Sequence, residues 1–232
     1  MTPGASPGSS SFYRRPWIAL LVAAAGVVIA GLVVSLYRGI GATGWIGSLA
    51  DLVIISVPFV LAAVVAIRLA ATPGFVRRVL LRWRWTDVAF GLGVGLLVRA
   101  LLELLVPTTG SLLGGFGTVS IAAVAVIALG AALVTPIVEE LFFRGVAVAA
   151  LLDVFGSLGR VVAAVASVAV STAAFVALHV VAAGGMVTWG ALLGPLAIGV
   201  GCGILFAVTG RVAAGICAHV VSNAIGVALL LV

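Results

Sequence analysis

The sequence has little charge and no lysine. Only 8% of its 232 residues are charged, 64% are hydrophobic, and the mean hydropathy is +1.43. Soluble domains carry about 25% charged residues, so this shortage excludes an ordinary soluble domain. The twelve basic residues are all arginines against six acidic residues. In a membrane protein such an excess indicates topology, and we expect no nucleic-acid partner.

Cysteine is also scarce. Cys202 and Cys217 are the two cysteines, both lie in apolar segments, and no CxxC or other metal-ligand spacing is present. The simplest interpretation is that both are small buried hydrophobic residues.

Long apolar runs predict an all-α, polytopic bundle of about seven transmembrane helices. The predicted helices cover residues 17–37, 49–71, 87–106, 119–153, 160–182, 187–208 and 211–231. At about 1.5 Å per residue, the fourth run exceeds a hydrocarbon core of about 30 Å. It is therefore tilted or has an interfacial extension, and eight spans result if it splits. Residues 1–16 are rich in Pro, Gly and Ser, which predicts a disordered cytoplasmic tail.

The arginines predict the orientation of the helices. One side of the predicted bundle carries Arg14, Arg15, the cluster from Arg77 to Arg84, Arg160 and Arg211, and the loops of the other side carry only Arg38. Because cytoplasmic loops are enriched in basic residues, we expect a cytoplasmic N-terminus and an outside C-terminus.

Two patterns inside the helices have structural interpretations. Arg99 and Glu103 are spaced i,i+4 on one face, which predicts a self-neutralising pair between helices, with a gating role as the alternative. Gly199 and Gly203 form a GxxxG motif in a glycine-rich helix, which predicts close packing against a neighbouring helix.

The stretch "TPIVEELFFRG" places two adjacent carboxylates in an apolar run. A charged side chain in a membrane costs about 2.5 kcal/mol or more on insertion scales. Glu140 and Arg144 are spaced i,i+4, so we expect them to pair and brace the helix. Glu139 is rotated by about 100° from Glu140, so it is left to act on something else.

Pro136 precedes the two glutamates by about one turn. It has no N–H to donate to the carbonyl of Ala132, which predicts a kink. Loosened backbone at membrane depth is tolerated where it lines protein or water. We therefore expect a wet cavity beside Glu139.

The two histidines of the chain also lie in apolar helices. His179 follows Phe175 by one turn, and His219 precedes Asn223 by one turn. Since each polar group is costly alone in lipid, we expect Glu139, His179, His219 and Asn223 to converge. The helical rise places His219 about 12 Å and His179 about 28 Å from the start of its helix, so the fifth helix must tilt strongly or begin below the membrane.

Three motifs now stand in order: EExxxR at Glu139–Arg144, FxxxH at Phe175–His179 and HxxxN at His219–Asn223. Together they resemble the CPBP family, the CAAX-prenyl-protease and bacteriocin-processing intramembrane endopeptidases, also called Abi proteins. The resemblance covers about residues 119–228. It implies that residues 119–232 form a catalytic core, to which residues 17–118 add transmembrane helices.

The resemblance implies hydrolysis of a peptide bond in a membrane-associated or lipidated peptide or protein. The residues allow this chemistry, because hydrolysis needs a base for water and donors for the oxyanion. We expect Glu139 to be the base, His179 to hold the same water, and His219 and Asn223 to form the oxyanion hole. The expected supporting residues are Glu140, Arg144 and Phe175.

A metal is the open alternative. Glu139, His179 and His219 could form a carboxylate-His-His site for Zn²⁺ or another divalent metal, and the family is often named as metalloproteases. However, no HExxH is present, and the family is also similar to glutamate-type proteases. We therefore expect that no cofactor is required.

A second class of function stays open beside the enzyme. The polar cluster could serve a non-enzymatic membrane scaffold or a transporter as a binding site. Transporters often contain paired repeats, and the sequence has none that are visible.

Overall fold

The computed structural model describes residues 11–37, 44–112 and 120–231. Predictions for residues 1–10, for Arg38 and for residues 113–119 lie outside these ranges. Within the described ranges the regular structure is helical, apart from one isolated β-bridge between Tyr13 and Ala71.

Seven helices in the described residues are long and apolar enough to span a membrane. They are α1 (Pro16–Leu36), α2 (Gly44–Ala70), α3 (Trp85–Leu105), α4 (Ile121–Val154), α5 (Arg160–Ala182), α6 (Trp189–Thr209) and α7 (Ala213–Leu230). The prediction of an all-α bundle with seven spans is confirmed. The second helix begins five residues before its predicted start at 49, and the fourth run stays one span.

Helices α3 and α7 pack side by side in the same direction. A Cβ at Gly91 would lie 2.7 Å from the carbonyl oxygen of Ala214 in α7. One turn later, a Cβ at Gly95 would lie 2.5 Å from the carbonyl oxygen of Ala218. Contacts that advance together along both helices mean that the pair is parallel, so residues later in α3 meet residues later in α7.

The predicted close packing at the GxxxG motif is confirmed. A Cβ at Gly199 would lie 2.7 Å from Thr172 Cγ2, and one at Gly203 would lie 2.8 Å from Val168 Cγ1. Both partners are on α5, so α5 and α6 approach to a distance that only glycine permits at these two positions.

Helix α4 is interrupted by two π-helical turns, Gly130–Val134 and Phe143–Val148. The segment Thr135–Phe142, which carries both glutamates, lies between them. π-helical turns are rare and are often found at functional sites. The two turns widen the helix on either side of the paired carboxylates.

The N-terminal segment differs from the predicted disordered tail where it is described. Tyr13 is 1% exposed, and its hydroxyl donates to the carbonyl of Gly145 at 2.8 Å. Its backbone N–H donates to Asp153 at 2.7 Å. Composition favoured disorder over residues 1–16, but one buried aromatic ring and its hydrogen bonds hold residues 11–15 against α4. Burial raises the pKa of Tyr13, so the hydroxyl remains a donor.

Candidate active site

The two glutamates of α4 face different neighbours. Glu140 is fully buried, and its Oε1 lies 2.8 Å from Nη1 of Arg144, which confirms the predicted pair. Nη2 of Arg144 donates to the carbonyls of Ile198 and Gly199, each at 3.1 Å. The guanidinium also lies 5.4 Å from the ring centre of Phe175. Arg144 therefore ties α4 to both α5 and α6.

His219 lies between the two carboxylates. Its Nδ1 is 3.0 Å from Oε1 of Glu140, and its Nε2 is 3.7 Å from Oε2 of Glu139. Because a carboxylate paired with Arg144 only accepts, Nδ1 of His219 carries the hydrogen of this contact. The sequence interpretation gave Glu140 only a bracing role, and the structure adds the orientation of His219 to it.

Phe175 stands between the two imidazoles. Its ring centre lies 4.4 Å from that of His179 and 6.0 Å from that of His219. Nδ1 of His179 lies 2.9 Å from the carbonyl oxygen of Phe175 and donates to it. The depth difference estimated from helical rise therefore does not keep the two histidines apart. In the neutral state each ring presents Nε2 as an acceptor, because Nδ1 is the donor.

Asn223 holds the backbone of the first π-helical turn. Its Nδ2 donates to the carbonyl of Ala131 at 3.1 Å. In that turn the N–H of Thr135 donates to the carbonyl of Gly130, five residues earlier. By the same spacing, residue 136 would donate to the carbonyl of Ala131, but Pro136 has no N–H. The carbonyl deprived of its partner is thus Ala131 and not Ala132 as predicted from α-helical spacing. Asn223 replaces that partner and keeps a second N–H.

A cavity of about 520 Å³ brings the predicted residues together. Its wall includes Glu139, His179, His219 and Asn223, which come from three helices. The volume lies within the range of small-molecule and peptide side-chain sites. The sequence therefore predicted which residues meet, and the catalytic role of each remains a prediction.

Three neighbours were not found from the sequence. A Cβ at Gly215 would lie 2.6 Å from Oε2 of Glu140, so a glycine makes room for the buried carboxylate. The thiol of Cys202 donates to the carbonyl of Gly215 at 3.4 Å, so it lies beside the glycine that contacts Glu140. Arg99 lines the cavity, although the sequence favoured a self-neutralising pair with Glu103 and gave a gating role as the alternative. No sequence signal marked Gly215, whereas the charge of Arg99 in a membrane helix was such a signal.

The residues present do not fit a catalytic metal as they are arranged. Within residues 11–37, 44–112 and 120–231, no group of three His, Cys, Asp or Glu side chains is placed to hold a metal ion. Zinc takes three protein ligands at about 2 Å in such sites. Nδ1 of His179 is held by a backbone carbonyl and Nδ1 of His219 by Glu140, so a metal could be bound only through the Nε2 atoms of these two rings.

Comparison with known proteins finds a family model that matches part of the second half of the chain. Residues 121–225 match the family described as type II CAAX prenyl endopeptidase Rce1-like. Searches of curated proteins and of solved structures find no significant match. The family match contains all three motifs and confirms the resemblance that they carry. It indicates a CAAX-protease-type enzyme, and with the seven apolar helices it supports an integral, multi-pass membrane protein.

Proposed function

We propose, from the premise that residues 121–225 are a CAAX-prenyl-endopeptidase-like segment, that the chain hydrolyses a peptide bond within the membrane. The substrate would be a membrane-associated or lipidated peptide or protein. The observation that carries the proposal is the 3.7 Å approach of Glu139 and His219 in a cavity that also exposes His179 and Asn223.

The charges of the site favour one shared proton. The carboxylate of Glu140 and the guanidinium of Arg144 cancel as an ion pair. Glu139 and His219 form the second pair, and a buried site is least costly when it is neutral overall. One proton therefore belongs to this second pair. With the proton on Nε2 of His219, Glu139 is an ionised base and His219 is a donor.

In the first step Glu139 removes a proton from water while the water oxygen attacks the carbonyl carbon of the substrate. The carbonyl oxygen becomes an oxyanion. The second N–H of Asn223 and the Nε2–H of His219 donate to it. Nε2 of His179 accepts the other hydrogen of the water and so directs the attacking lone pair.

In the second step the proton on Glu139 passes to the amide nitrogen. The C–N bond then breaks as the carbonyl bond reforms, which leaves one new carboxyl group and one new amine. The atoms balance with one water consumed. His219 acts here as an imidazolium, because its neutral form with hydrogen on Nδ1 has no donor on the side of Glu139.

The proposal includes the orientation of the chain. Arg14, Arg15, Arg160 and Arg211 support a cytoplasmic N-terminus and an outside C-terminus by the positive-inside rule. The bilayer is then a partner of the enzyme, since the substrate reaches the cavity between helices.

The test is to map the cleavage products. The full-length chain in liposomes would be incubated with a library of membrane-anchored peptides, unmodified and farnesylated, and the products would be identified by mass spectrometry. We expect defined cuts that disappear in Glu139→Ala and persist in Asp153→Asn, which removes a carboxylate elsewhere on α4. A library left intact by the wild type would favour the scaffold or transporter instead. Equal cutting by Glu139→Ala would contradict Glu139 as the base.

A further inference from the structure

A second cavity lies at the end of the bundle where most of the arginines are, apart from the candidate active site. Its volume is about 580 Å³, and its wall is formed by the ends of α4 and α6, the start of α5 and the segment between α2 and α3. Among the described residues, none lines both this cavity and the candidate active site. Four arginines from three separate segments line it: Arg78, Arg82, Arg160 and Arg211.

Two of these arginines are fixed in the wall by contacts with the protein. Arg211 donates to Asp87 through Nε at 2.9 Å and through Nη2 at 2.6 Å. Its Nη1 donates to the carbonyl of Thr209 at 3.1 Å. Nη2 of Arg78 donates to Oγ1 of Thr72 at 2.8 Å. The two guanidinium groups are therefore held in place before any ligand binds, which lowers the entropy cost of binding.

Arg82 and Arg160 differ from this pair, because both are exposed and neither forms an ion pair within the part of the chain that the structure describes. Asp87 and Asp153 are the acidic residues at this end, since the other four of the chain lie deeper in the bundle or toward its other end. Asp153 already accepts the N–H of Tyr13. Four arginines against these two carboxylates leave an excess of two positive charges at the cavity. Arg82 and Arg160 are thus the cations that remain for an anion.

The first turn of α5 adds backbone donors to the same wall. Gly159 is the N-cap and has no side chain to cap the helix, and Arg160 and Ala163 line the cavity. The first N–H groups of a helix have no partner within it, so they favour an anion. Guanidinium groups and N–H groups together match the oxygens of a phosphate. The donors of this cavity therefore fit a phosphate group.

The edge of the cavity is apolar where it meets the lipid. Val208 of α6 lines the cavity and is 72% exposed, and Ile204, about one turn earlier, is 51% exposed. The cavity lies where three spanning helices begin or end, which is the level of the lipid headgroups. Basic pockets between spanning helices at this level bind the headgroups of anionic lipids. A soluble phosphate, in contrast, makes no use of an apolar edge.

We propose that this cavity binds the phosphate of an anionic phospholipid, with Arg82 and Arg160 as its main partners and one acyl chain along Val208 and Ile204. The ligand belongs to the bilayer and is not the peptide that the proposed enzyme cleaves. The inference goes beyond the proposed hydrolysis and does not depend on it, because it concerns a different cavity.

The experiment measures lipid binding to the full-length chain in detergent micelles. Phosphatidylglycerol, whose headgroup is anionic, is compared with phosphatidylcholine, whose headgroup has no net charge. Native mass spectrometry gives the Kd of the first lipid bound. We expect phosphatidylglycerol to bind about 30-fold more tightly, because an excess of two arginine charges acts on it.

Two kinds of variant should remove this preference. Arg82→Gln combined with Arg160→Gln removes both cations and should weaken the binding of phosphatidylglycerol about 30-fold. Gly156→Leu keeps every arginine but fills the cavity, because a Cβ at this wall position meets no atom of the described residues within 4 Å. The matched control is Arg15→Gln combined with Arg77→Gln, which removes two exposed arginines of the same end that do not line the cavity. This control should keep the preference.

The controls decide whether the cavity itself is the site. Equal affinity for the two lipids would show that no anion is selected and would overturn the proposal. Equal losses in Arg82→Gln/Arg160→Gln and in the control would indicate general attraction to a basic surface and would overturn it too. Unchanged affinity in Gly156→Leu would place the lipid outside the cavity.

A competition arm identifies the source of the phosphate. Glycerol 3-phosphate, the soluble part of the headgroup, should displace phosphatidylglycerol only at a concentration far above that of the lipid. Displacement at equal concentration would make the ligand a soluble phosphate and would overturn the assignment to a lipid. Cleavage enters none of these measurements, so a failure of the hydrolytic mechanism leaves the result on this cavity unchanged.

Discussion

Nδ1 of His219 lies 3.0 Å from Oε1 of Glu140, so the second glutamate of the pair contacts the imidazole that also faces Glu139. The carboxylate of Glu140 is in turn held by Arg144 at 2.8 Å. One buried ion pair therefore holds Nδ1 of His219 and fixes the direction of the ring that faces Glu139. The two adjacent carboxylates thus contact different nitrogens of His219, and under the proposed mechanism Glu139 is the one that acts on water.

Removing either partner of the Glu140–Arg144 pair should destabilise the protein. Glu140→Ala and Arg144→Ala each leave an uncompensated buried charge, which costs about 3–5 kcal/mol. The measurement is unfolding of the purified chain in detergent by SDS titration, together with its abundance in membranes. Normal stability and abundance of both variants would contradict the bracing role.

Asn223→Ala should lower turnover about 10²–10³-fold, the usual effect of losing one oxyanion donor. The neighbouring Ser222→Ala is the matched control, because Ser222 also lines the cavity and has no part in the mechanism. Single-turnover cleavage of a library peptide that the wild type cuts measures both. A Ser222→Ala variant as impaired as Asn223→Ala would indicate a serine-based reaction.

Tyr13→Phe should cost about 1 kcal/mol, because the ring stays while its hydrogen bond to Gly145 is lost. Tyr13→Ala should cost about 3–5 kcal/mol through the cavity it leaves. Thermal unfolding in detergent compares the two. If both variants unfold at the same temperature as the wild type, the N-terminal segment does not stabilise the π-helical turn of α4.

The same tyrosine predicts a pH effect. Burial raises the pKa of Tyr13 above its ordinary value of 10.0, so the folded chain retains a proton that the unfolded chain releases. Stability should therefore fall as the pH rises above about 10. Part of this fall should be absent in Tyr13→Phe. Identical alkaline unfolding of the two chains would show that Tyr13 titrates alike in both states.

Activity should survive a tight chelator, since the mechanism uses Glu139 and His219 without a metal. Wild-type cleavage would be followed before and after dialysis against the chelator, with added Zn²⁺ as the control. Loss of activity that Zn²⁺ restores would keep the carboxylate site and refute the metal-free step.

The helices and the convergence of polar groups could be predicted from the sequence, because both follow from the free-energy cost of exposing polar groups to lipid. Apolar runs of about 20 residues leave few alternatives to spanning helices. Polar groups such as His179 and His219 are too costly to face lipid. The pairing of Glu140 with Arg144 followed from helical spacing alone.

Other features depended on contacts far apart in the chain. Because of the π-helical turn, the carbonyl that lacks a donor at Pro136 is that of Ala131 and not that of Ala132. α-Helical spacing cannot reveal such a shift. The burial of Tyr13 depends on partners 132 and 140 residues away, so local composition favoured a disordered tail. Arg99 was recognised as a paired charge, but only the parallel packing of α3 and α7 places it in the cavity.

The central claim is that Glu139 is the base that activates water, and Glu139→Gln tests it most directly. The amide keeps the size of the side chain but accepts no proton at the site. Wild type, Glu139→Gln and the control Asp153→Asn would be reconstituted at equal amounts and checked for equal folding. Each would then be assayed under single-turnover conditions with a library peptide that the wild type cuts. The account predicts that Glu139→Gln binds the peptide but loses nearly all cleavage, while Asp153→Asn cleaves as the wild type does. Full cleavage by a folded Glu139→Gln chain would contradict it.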